Sequence, residues 1–541
     1  MHGVQGELHR RYLNMISLYS PLDSPSIKTC LSLPESNYSH NTQKGFLQDW
    51  RKHPRRVFHK GVLIMPTLPP VKTYLLKPLL LAWGLSAVLF YFSTGFYDNW
   101  LLTWLASLPV CYYALRSRAE KAALAAFTAY VLGSMNQFGY LPPLLFIGTT
   151  VLSAAAFTAS ILLLRSLTLV NRQIFAPFAF AASWTSFEFV RSLISSFGTF
   201  ESLAYTQVYN LPIIQLAFLT GIWGITFMLM LIPASLAVIW HSRRNRSICR
   251  LTVLLSGSLL TTILFFGLYR LYLPADGPVI KIGLAAIPAT REELRSQNAE
   301  AVTHALRRYS NSTGALAAAG AQAVLLPEKI AFLTSSSREA GLSLLGQTAA
   351  RSKVTLIAGL SLQQERLYNA ALVFAPDGSL LHTYHKQHLL PAYESRYTPG
   401  KDLVFPDIST TVRGGISICK DMDFALSARE YSRQGAGILF VPALDFYDDG
   451  WLHARIAVLR GVEGNVAVAR SAQWGLLTVS DSRGRLLGVT STSTAAGETS
   501  LLSEVPLGSG RSLYSRTGDW LGWLCLLITA LAVFRLKPED N

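Results

Sequence analysis

Seven apolar stretches in the first half of the chain constrain the fold more than any other feature: Leu75 to Gly95, Trp100 to Leu115, Ala122 to Leu141, Pro142 to Leu164, Phe175 to Ile194, Ile213 to Trp240 and Leu251 to Leu273. Most lie near the roughly 20 residues that an α-helix needs to cross a bilayer. An eighth, shorter stretch runs from Trp520 to Phe534. With 50% of its residues hydrophobic and 15% charged, the chain is too apolar for an ordinary soluble protein. The segments between the stretches set an orientation. Arg116, Arg118 and Lys121, then Arg165 and Arg172, then Arg243, Arg244, Arg246 and Arg250, then Arg535 and Lys537 fall on one side, whereas Ser195 to Pro212 on the other carries neither Lys nor Arg. Basic loops stay in the cytoplasm, so the pattern predicts eight spans, both termini inside and Pro274 to about Asp519 outside.

The formal charge of +16 invites a nucleic-acid reading. Outside Pro274 to Asp519, however, the cations sit mainly in these loops and in the first 72 positions, so no nucleic-acid partner is expected. Residues 1–72 are polar, basic and Pro-rich, without the basic-then-apolar order of a signal peptide, and read as a disordered cytoplasmic extension. Met65, just before the first span, raises a later start as an alternative. The five cysteines, Cys30, Cys111, Cys249, Cys419 and Cys525, show no paired spacing, so neither a disulfide framework nor a metal site is implied.

Beyond the seventh stretch the texture changes to short β-rich runs, among them "VIKIGLAAI", "AVLLPE", "TLIAGLSL", "GGISICKD" and "GILFVPAL". Near-continuous apolar strands indicate sheets covered on both faces. Glu292 to Ala319, Ala425 to Gln434 and Trp451 to Gly464 read as helices, giving an α/β domain. Three reactive residues stand at comparable places: Glu328 closes "AVLLPE", Lys386 closes "LLHTYHK" and Cys419 ends "GGISIC". Strand ends in α/β sheets are where chemistry gathers. A free thiol is only a few per cent ionised at neutral pH, so a nucleophilic cysteine needs a base and a cation. Glu328 fits the base. Lys386, with the backbone N–H after Cys419, fits the oxyanion stabiliser.

"LPE", "YHKQHLLPAYE" and "GISICKD", followed by "RGVEGN", resemble the nitrilase (carbon-nitrogen hydrolase) superfamily with its Glu, Lys and Cys triad. "PFAFAASWTSFEFVRS", "QLAFLTGIWGITFM" and "SLYSRTGDWLGWL" resemble the apolipoprotein N-acyltransferase family, the likeness covering roughly residues 75 to 535. The resemblance implies a polytopic α-helical membrane domain with seven transmembrane helices over 73–273 and a nitrilase-type α-β-β-α sandwich over 279–506. A C-terminal transmembrane helix over 513–535 completes it. It implies transfer of an acyl chain from a phospholipid, through a thioester on Cys419, to the N-terminal amine of a diacylglyceryl-cysteine lipoprotein. The reaction needs no cofactor and no metal. The implied setting is a monomer in the bacterial inner membrane with its catalytic domain facing the periplasm. The alternatives are a membrane-tethered amidase using the same triad, an acyltransferase with another amine acceptor, and a scaffold with a vestigial triad.

Several supporting residues follow from the same likeness. Glu394 matches a second family carboxylate and is expected to orient Lys386 or the incoming amine, and Glu463 of "RGVEGN" to brace the fold or the lysine. The family commonly places an aromatic residue and a glutamate after its nucleophile, whereas Lys420 and Asp421 stand here. Asp421 is expected to hold a lysine. Lys420 is expected either to carry charge to a lipid headgroup or to snorkel to water. Glu188 and Arg191, at i, i+3 in the fifth stretch, read as a neutralising pair ahead of a lipid-handling one. His382, His385 and His388 have a metal-like spacing but no second ligand cluster, and residues 445–455, "DFYDDGWLHAR", read as a membrane-facing substrate loop or a packed connection.

Overall fold

The computed structural model describes residues 73–97, 99–274, 277–391, 393–409, 412–493 and 497–536. The expected extension over 1–72, with Met65, lies outside the described residues.

The apolar stretches form helices, with breaks that local chemistry dictates. Trp100 to Leu115 divides into Trp100–Ala106 and Leu108–Ala114, because Pro109 cannot donate the backbone hydrogen bond that a continuous helix needs. Ala119–Gly133 ends in the tighter turn Ser134–Gln137. Ile213 to Trp240 resolves into the one-turn helices Leu211–Ile214 and Ala217–Thr220, then Ile222–His241. Three helices, Pro143–Leu169, Ile222–His241 and Arg246–Tyr272, are long and apolar enough to cross a membrane by length and composition among the described residues. The basic loops converge: Arg116, Gln173, Arg243 and Arg244 line one shallow depression. Arg165 Nε donates to Ser117 O at 3.0 Å, and Arg535 lies over the Phe175 ring.

Glu188 and Arg191 do not pair. Glu188 is buried and accepts from Trp184 Nε1 (3.0 Å), Ser202 Oγ (2.6 Å), Leu203 N (3.1 Å) and Thr226 Oγ1 (2.9 Å), while Arg191 pairs with Glu201 at 3.2 Å. Donors from neighbouring segments satisfy the carboxylate, which the spacing along one helix cannot reveal.

The α/β domain begins with β1 (Val279–Ala286), β2 (Ala323–Leu325), β3 (Phe332–Leu333), β4 (Thr355–Gln363), β5 (Leu367–Phe374) and β6 (Leu380–His385). It continues with β7 (Asp407–Ser409), β8 (Val412–Ile416), β9 (Ile438–Leu444), β10 (Ala467–Gln473), β11 (Leu476–Ser480), β12 (Leu486–Ser491) and β13 (Thr499–Pro506). One sheet has the order β13-β1-β2-β4-β5-β6, with β3 also pairing β4; the other runs β12-β11-β10-β9-β8-β7. β1 and β13 pair antiparallel from Val279 opposite Pro506, closing the domain on itself. Ile282, Leu284, Ile357 and Val373 from the first sheet meet Ile416, Phe440, Ala469 and Val479 from the second in one buried core. The helices Ala299–Ala318 and Arg338–Ser352 cover the outer face of the first sheet through Leu306, Leu345 and Ala349. The expected helix from Glu292 to Ala319 is divided, because Thr290 and Glu293 cap a short turn, Arg291–Arg295, and Asn298 caps a new start by accepting from Glu300 N and Ala301 N.

The outer face of the second sheet carries the helices Ala425–Arg433 and Gly450–Gly464, and their far side is covered by the helical half. Leu439, Val441, Tyr431, Ile456 and Val462 share one buried core with Ile214, Ala217 and Trp223. Buried polar groups fix this junction. Arg460 binds Glu463, Thr199 Oγ1 (2.5 Å), Tyr205 OH (2.8 Å) and Met422 O (2.9 Å), and Glu463 accepts from Ile222 N at 2.9 Å. Glu463 therefore braces the joint between the halves and does not touch Lys386.

Candidate active site

Glu328, Lys386 and Cys419 come together at one end of the paired sheets. β2 delivers Glu328, whose N–H donates to Ala443 O at 3.2 Å. Gly359 on β4 makes room: a methyl group there would run into Pro327 O and the Glu328 backbone. Lys386 follows β6 directly, its N–H donating to Asn369 O (2.9 Å). Cys419 stands three residues past the end of β8, opening the turn Cys419–Asp423 with φ of 47°, in the left-handed region. Lys329, beside Glu328, has φ of 57°. Non-glycine residues held there cost about 1–3 kcal/mol each and cluster at functional sites.

The charges interlock. Lys386 Nζ lies 3.0 Å from Glu328 Oε1 and 2.9 Å from Glu394 Oε2. Lys329 also pairs with Glu394, and lies 3.7 Å from Glu328 Oε1. Asn369 Nδ2 donates to Glu328 Oε1 (2.5 Å) and Glu394 Oε1 (2.7 Å), and Leu390 N donates to Glu394 Oε2 (2.8 Å). Burial alone would raise the Glu394 carboxyl, but Lys329 and Lys386 hold it well below the ordinary range. Burial likewise opposes the Lys386 charge, and Glu328 and Glu394 override it, keeping the ammonium protonated. Glu328 Oε2, in contrast, is buried without a hydrogen-bond partner. It is a proton acceptor left open in the cavity that Cys419 also lines, where the thiol Sγ donates to Leu444 O at 3.8 Å. Burial, joined by the Glu328 charge, pushes the Cys419 thiol up, while Lys386 opposes this, so the resting group is the neutral thiol and needs a base to become a nucleophile.

Cys419, Glu328, Lys386, Glu394 and Lys420 line a cavity of about 320 Å³. Its remaining wall is mostly apolar: Leu141, Pro142 and Leu145 before and within the helix Pro143–Leu169, Phe197 and Phe200 from the loop after the helix Ala176–Ile194, and Leu390, Leu444 and Phe446. Both halves of the chain therefore build the site. In the 445–455 segment, Phe446 and His453 line the cavity, whereas Asp449 accepts from Tyr140 OH at 2.8 Å and ties the two halves together.

The residues after Cys419 depart from expectation. The segment is a tight helical turn, not an extended one. Among the described residues Asp421 holds no lysine: it accepts from Tyr384 OH (2.8 Å), Ile418 N (3.0 Å), Gln387 N (3.2 Å) and His388 N (2.8 Å), so it anchors the Cys419 turn to the segment after Lys386. A carboxylate one carbon shorter than glutamate reaches these nearby backbone groups instead of a distant ammonium. Lys420 is 4% exposed and does not snorkel; its Nζ donates to Ser196 O and to Leu389 O (3.4 Å), between the rings of Phe197 and Phe424. The loop from the helical half closes over it, which no local pattern foretells. The histidines scatter: His385 stacks on Tyr368, and His388 on Phe424. Among the described residues no group of three His, Cys, Asp or Glu side chains is placed to hold a metal. Sequence reasoning missed Lys329 and Asn369; a polar asparagine inside the apolar run "YNAALVF" was the available signal.

The Carbon-nitrogen hydrolase model matches residues 284–503, and the Apolipoprotein N-acyltransferase N-terminal domain model matches residues 86–235. The chain belongs to the apolipoprotein N-acyltransferase family. An Apolipoprotein N-acyltransferase from Geobacter metallireducens is 27% identical over 81% of this chain and 91% of its own length. The corresponding protein of Haemophilus ducreyi is 24% identical over 82% and 94%. A crystal structure of an amidase from Nesterenkonia sp. aligns with 43% of this chain and 92% of its own, at 20% identity and a TM-score of 0.36. Membership in the N-acyltransferase family thus rests on both halves of the chain, in the order the family has them.

Proposed function

We propose that the chain is a membrane acyltransferase that moves a fatty acyl group from a phospholipid to the N-terminal amine of a diacylglyceryl-cysteine lipoprotein, through a thioester on Cys419. The observation that carries this reading is the cavity itself. A cysteine flanked by an open carboxylate oxygen and a buried ammonium faces apolar walls contributed by both halves of the chain.

Glu328 takes the Cys419 thiol proton through Oε2, and the thiolate attacks the donor ester carbonyl. Lys386 Nζ, with the backbone N–H after Cys419, stabilises the oxyanion; losing such a donor costs on the order of a hundredfold or more. Collapse expels the lysophospholipid oxygen, which takes the proton back from Glu328. Glu394 positions Lys386 and keeps it charged. The amine then attacks the thioester, and Cys419 leaves. Substrates with long acyl chains leave a bilayer only at about 0.8 kcal/mol per CH₂, so a site walled by a membrane domain can receive them without that penalty.

In this reading residues 73–273 form a polytopic domain of seven spans, 279–506 the catalytic domain and 513–535 the eighth span, with the chain in the bacterial inner membrane and the catalytic domain facing the periplasm. The convergence of Arg116, Arg243 and Arg244 at one end supports the orientation, since cytoplasmic loops carry excess cations. Reporters fused after Gly508 and at Asn541 should report opposite sides; agreement between them would refute it. Incubated with defined phospholipids, the purified chain should gain the mass of one acyl group, and Cys419→Ala should gain none and transfer none. Normal lipoprotein acylation by that variant would sink the mechanism.

A further inference from the structure

The acyl-transfer reading leaves one chemical demand unmet. The acceptor's α-amine, with an ordinary pKa of about 7.7–8.0, arrives largely as an ammonium and cannot attack until it loses a proton. A cation also enters an apolar cavity at a cost unless a counter-charge meets it. Glu328 already serves the thiol, and Glu394 is held by Lys329, Lys386, Asn369 and Leu390.

A third carboxylate faces the same cavity. Asp423 ends the turn that Cys419 begins, lines the cavity and is 3% exposed. Among the described residues its carboxylate takes part in no hydrogen bond or ion pair. Its position is fixed by the backbone: Asp423 O accepts from Thr199 N (2.9 Å) and Thr199 Oγ1 (2.7 Å), and Gly198, with φ of 53°, lies so close that a Cβ there would meet Asp423 O. The charged groups around it are engaged elsewhere. His453 Nε2 lies 3.2 Å from Asp449 Oδ2, Lys420 binds Ser196 O and Leu389 O, Arg460 binds Glu463, and Lys386 binds Glu328 and Glu394. An unpartnered buried carboxylate aimed into a substrate cavity, with neighbouring cations tied down, is a site for an arriving cation.

We propose that Asp423 receives the α-ammonium of the acceptor and takes its proton, so that the free amine attacks the Cys419 thioester. The proposal rests on the acyl-transfer reading. Of the three ammonium protons, one passes to Asp423. As the C–N bond forms and the C–S bond breaks, a second passes through Glu328 to the departing sulfur, restoring the Cys419 thiol, and the third stays on the amide nitrogen. Asp423 then releases its proton to water. Burial, partly offset by His453, Lys420, Arg460 and Lys386, raises the Asp423 carboxyl above the ordinary range, which strengthens it as a base.

The half-reactions separate the possibilities. The full-length chain and Asp423→Asn are loaded from phosphatidylglycerol or phosphatidylethanolamine, then chased with a diacylated cysteinyl peptide between pH 6 and 9, and the thioester is followed by intact mass. The deficit of Asp423→Asn should fall on the chase, about a hundredfold at neutral pH. It should shrink as pH rises past the amine's own range, and Asp423→Glu should recover part of the rate. A deficit confined to loading from phosphatidylethanolamine would assign the ammonium to the donor headgroup and overturn the acceptor assignment. A chase deficit that is the same at every pH would make Asp423 merely structural and overturn it too. If the unmodified chain loads from no phospholipid, the acyl-transfer reading itself fails, and the role of Asp423 with it.

Discussion

The two charged walls of the cavity are built on opposite principles. On the wall made by the ends of β2 and β6, Glu328, Lys329, Lys386 and Glu394 form one network in which each side chain meets an opposite charge. On the wall made by the turn after Cys419, Lys420 lies among carbonyl oxygens and aromatic faces, and Asp423 stays open. The first arrangement holds the Lys386 ammonium and the Glu394 carboxylate charged before anything enters the cavity. The second is completed by whatever enters. Mutual compensation suits the step that is the same for every donor, and an open group suits the step in which the substrate carries its own charge.

The same replacement on both walls should break the comparison most visibly. Lys386→Met leaves two buried carboxylates short of a cation, and removing one partner from a buried ion pair costs roughly 3–5 kcal/mol. Lys420→Met removes hydrogen bonds to carbonyl oxygens and aromatic contacts, the latter worth about 0.5–2 kcal/mol, and orphans no charge within bonding distance. Thermal unfolding in detergent should therefore show a much larger fall for Lys386→Met, which should also lose thioester formation. Equal falls would mean that the two lysines are held in the same way.

A smaller effect, of opposite sign on the two walls, should appear in the pH dependence of stability. Glu394 is held below the ordinary carboxyl range in the folded chain, so its contribution is fully present above the unfolded value of about 4.3 and is lost as pH falls towards the folded one. Asp423 is raised, so its folded form is favoured while protonated, and that advantage is lost as pH rises from about 3.9 through the folded value. Melting curves between pH 3 and 7 should show that Glu394→Gln removes a rise with pH and that Asp423→Asn removes a fall. Changes of the same sign would contradict the contrast between the walls.

Much of the first wall was legible in the sequence because its reactive residues terminate apolar runs, and the end of a strand is a position that pattern alone can name. Glu328, Lys386 and Cys419 were found in this way. The second wall was not legible. Asp423 is exposed to the cavity because Thr199 and Gly198, more than two hundred residues earlier, pin the turn that carries it. Lys420 is buried because Ser196 reaches it from the helical half. Lys329 joins the first wall through a left-handed backbone angle that its sequence neighbours do not signal. The pairing expected between Glu188 and Arg191 failed for the same reason: a helical spacing names which residues are neighbours on one helix, and says nothing of donors from Ser202 or Thr226. The breaks at Pro109 and Asn298, on the other hand, are written in the sequence, as a proline and a capping residue inside long apolar or helical patterns.

The helix Trp520–Phe534 has a consequence for how the molecule is made. It packs on the helix Ala176–Ile194, with Phe189 against Trp523, and Asp519 just before it accepts from Trp223 Nε1 at 2.7 Å. Phe189 and Trp223 leave the ribosome some three hundred residues before their partners, an interval on the order of tens of seconds at bacterial elongation rates. Throughout that time Phe189 and Trp223 stand without the partners that the later segment brings them. Synthesis interrupted between Pro506 and Asp519 leaves a nascent product with Glu328, Lys386, Cys419 and both sheets complete and this joint missing, so the order of translation makes the helix Trp520–Phe534 the seal on the assembled halves.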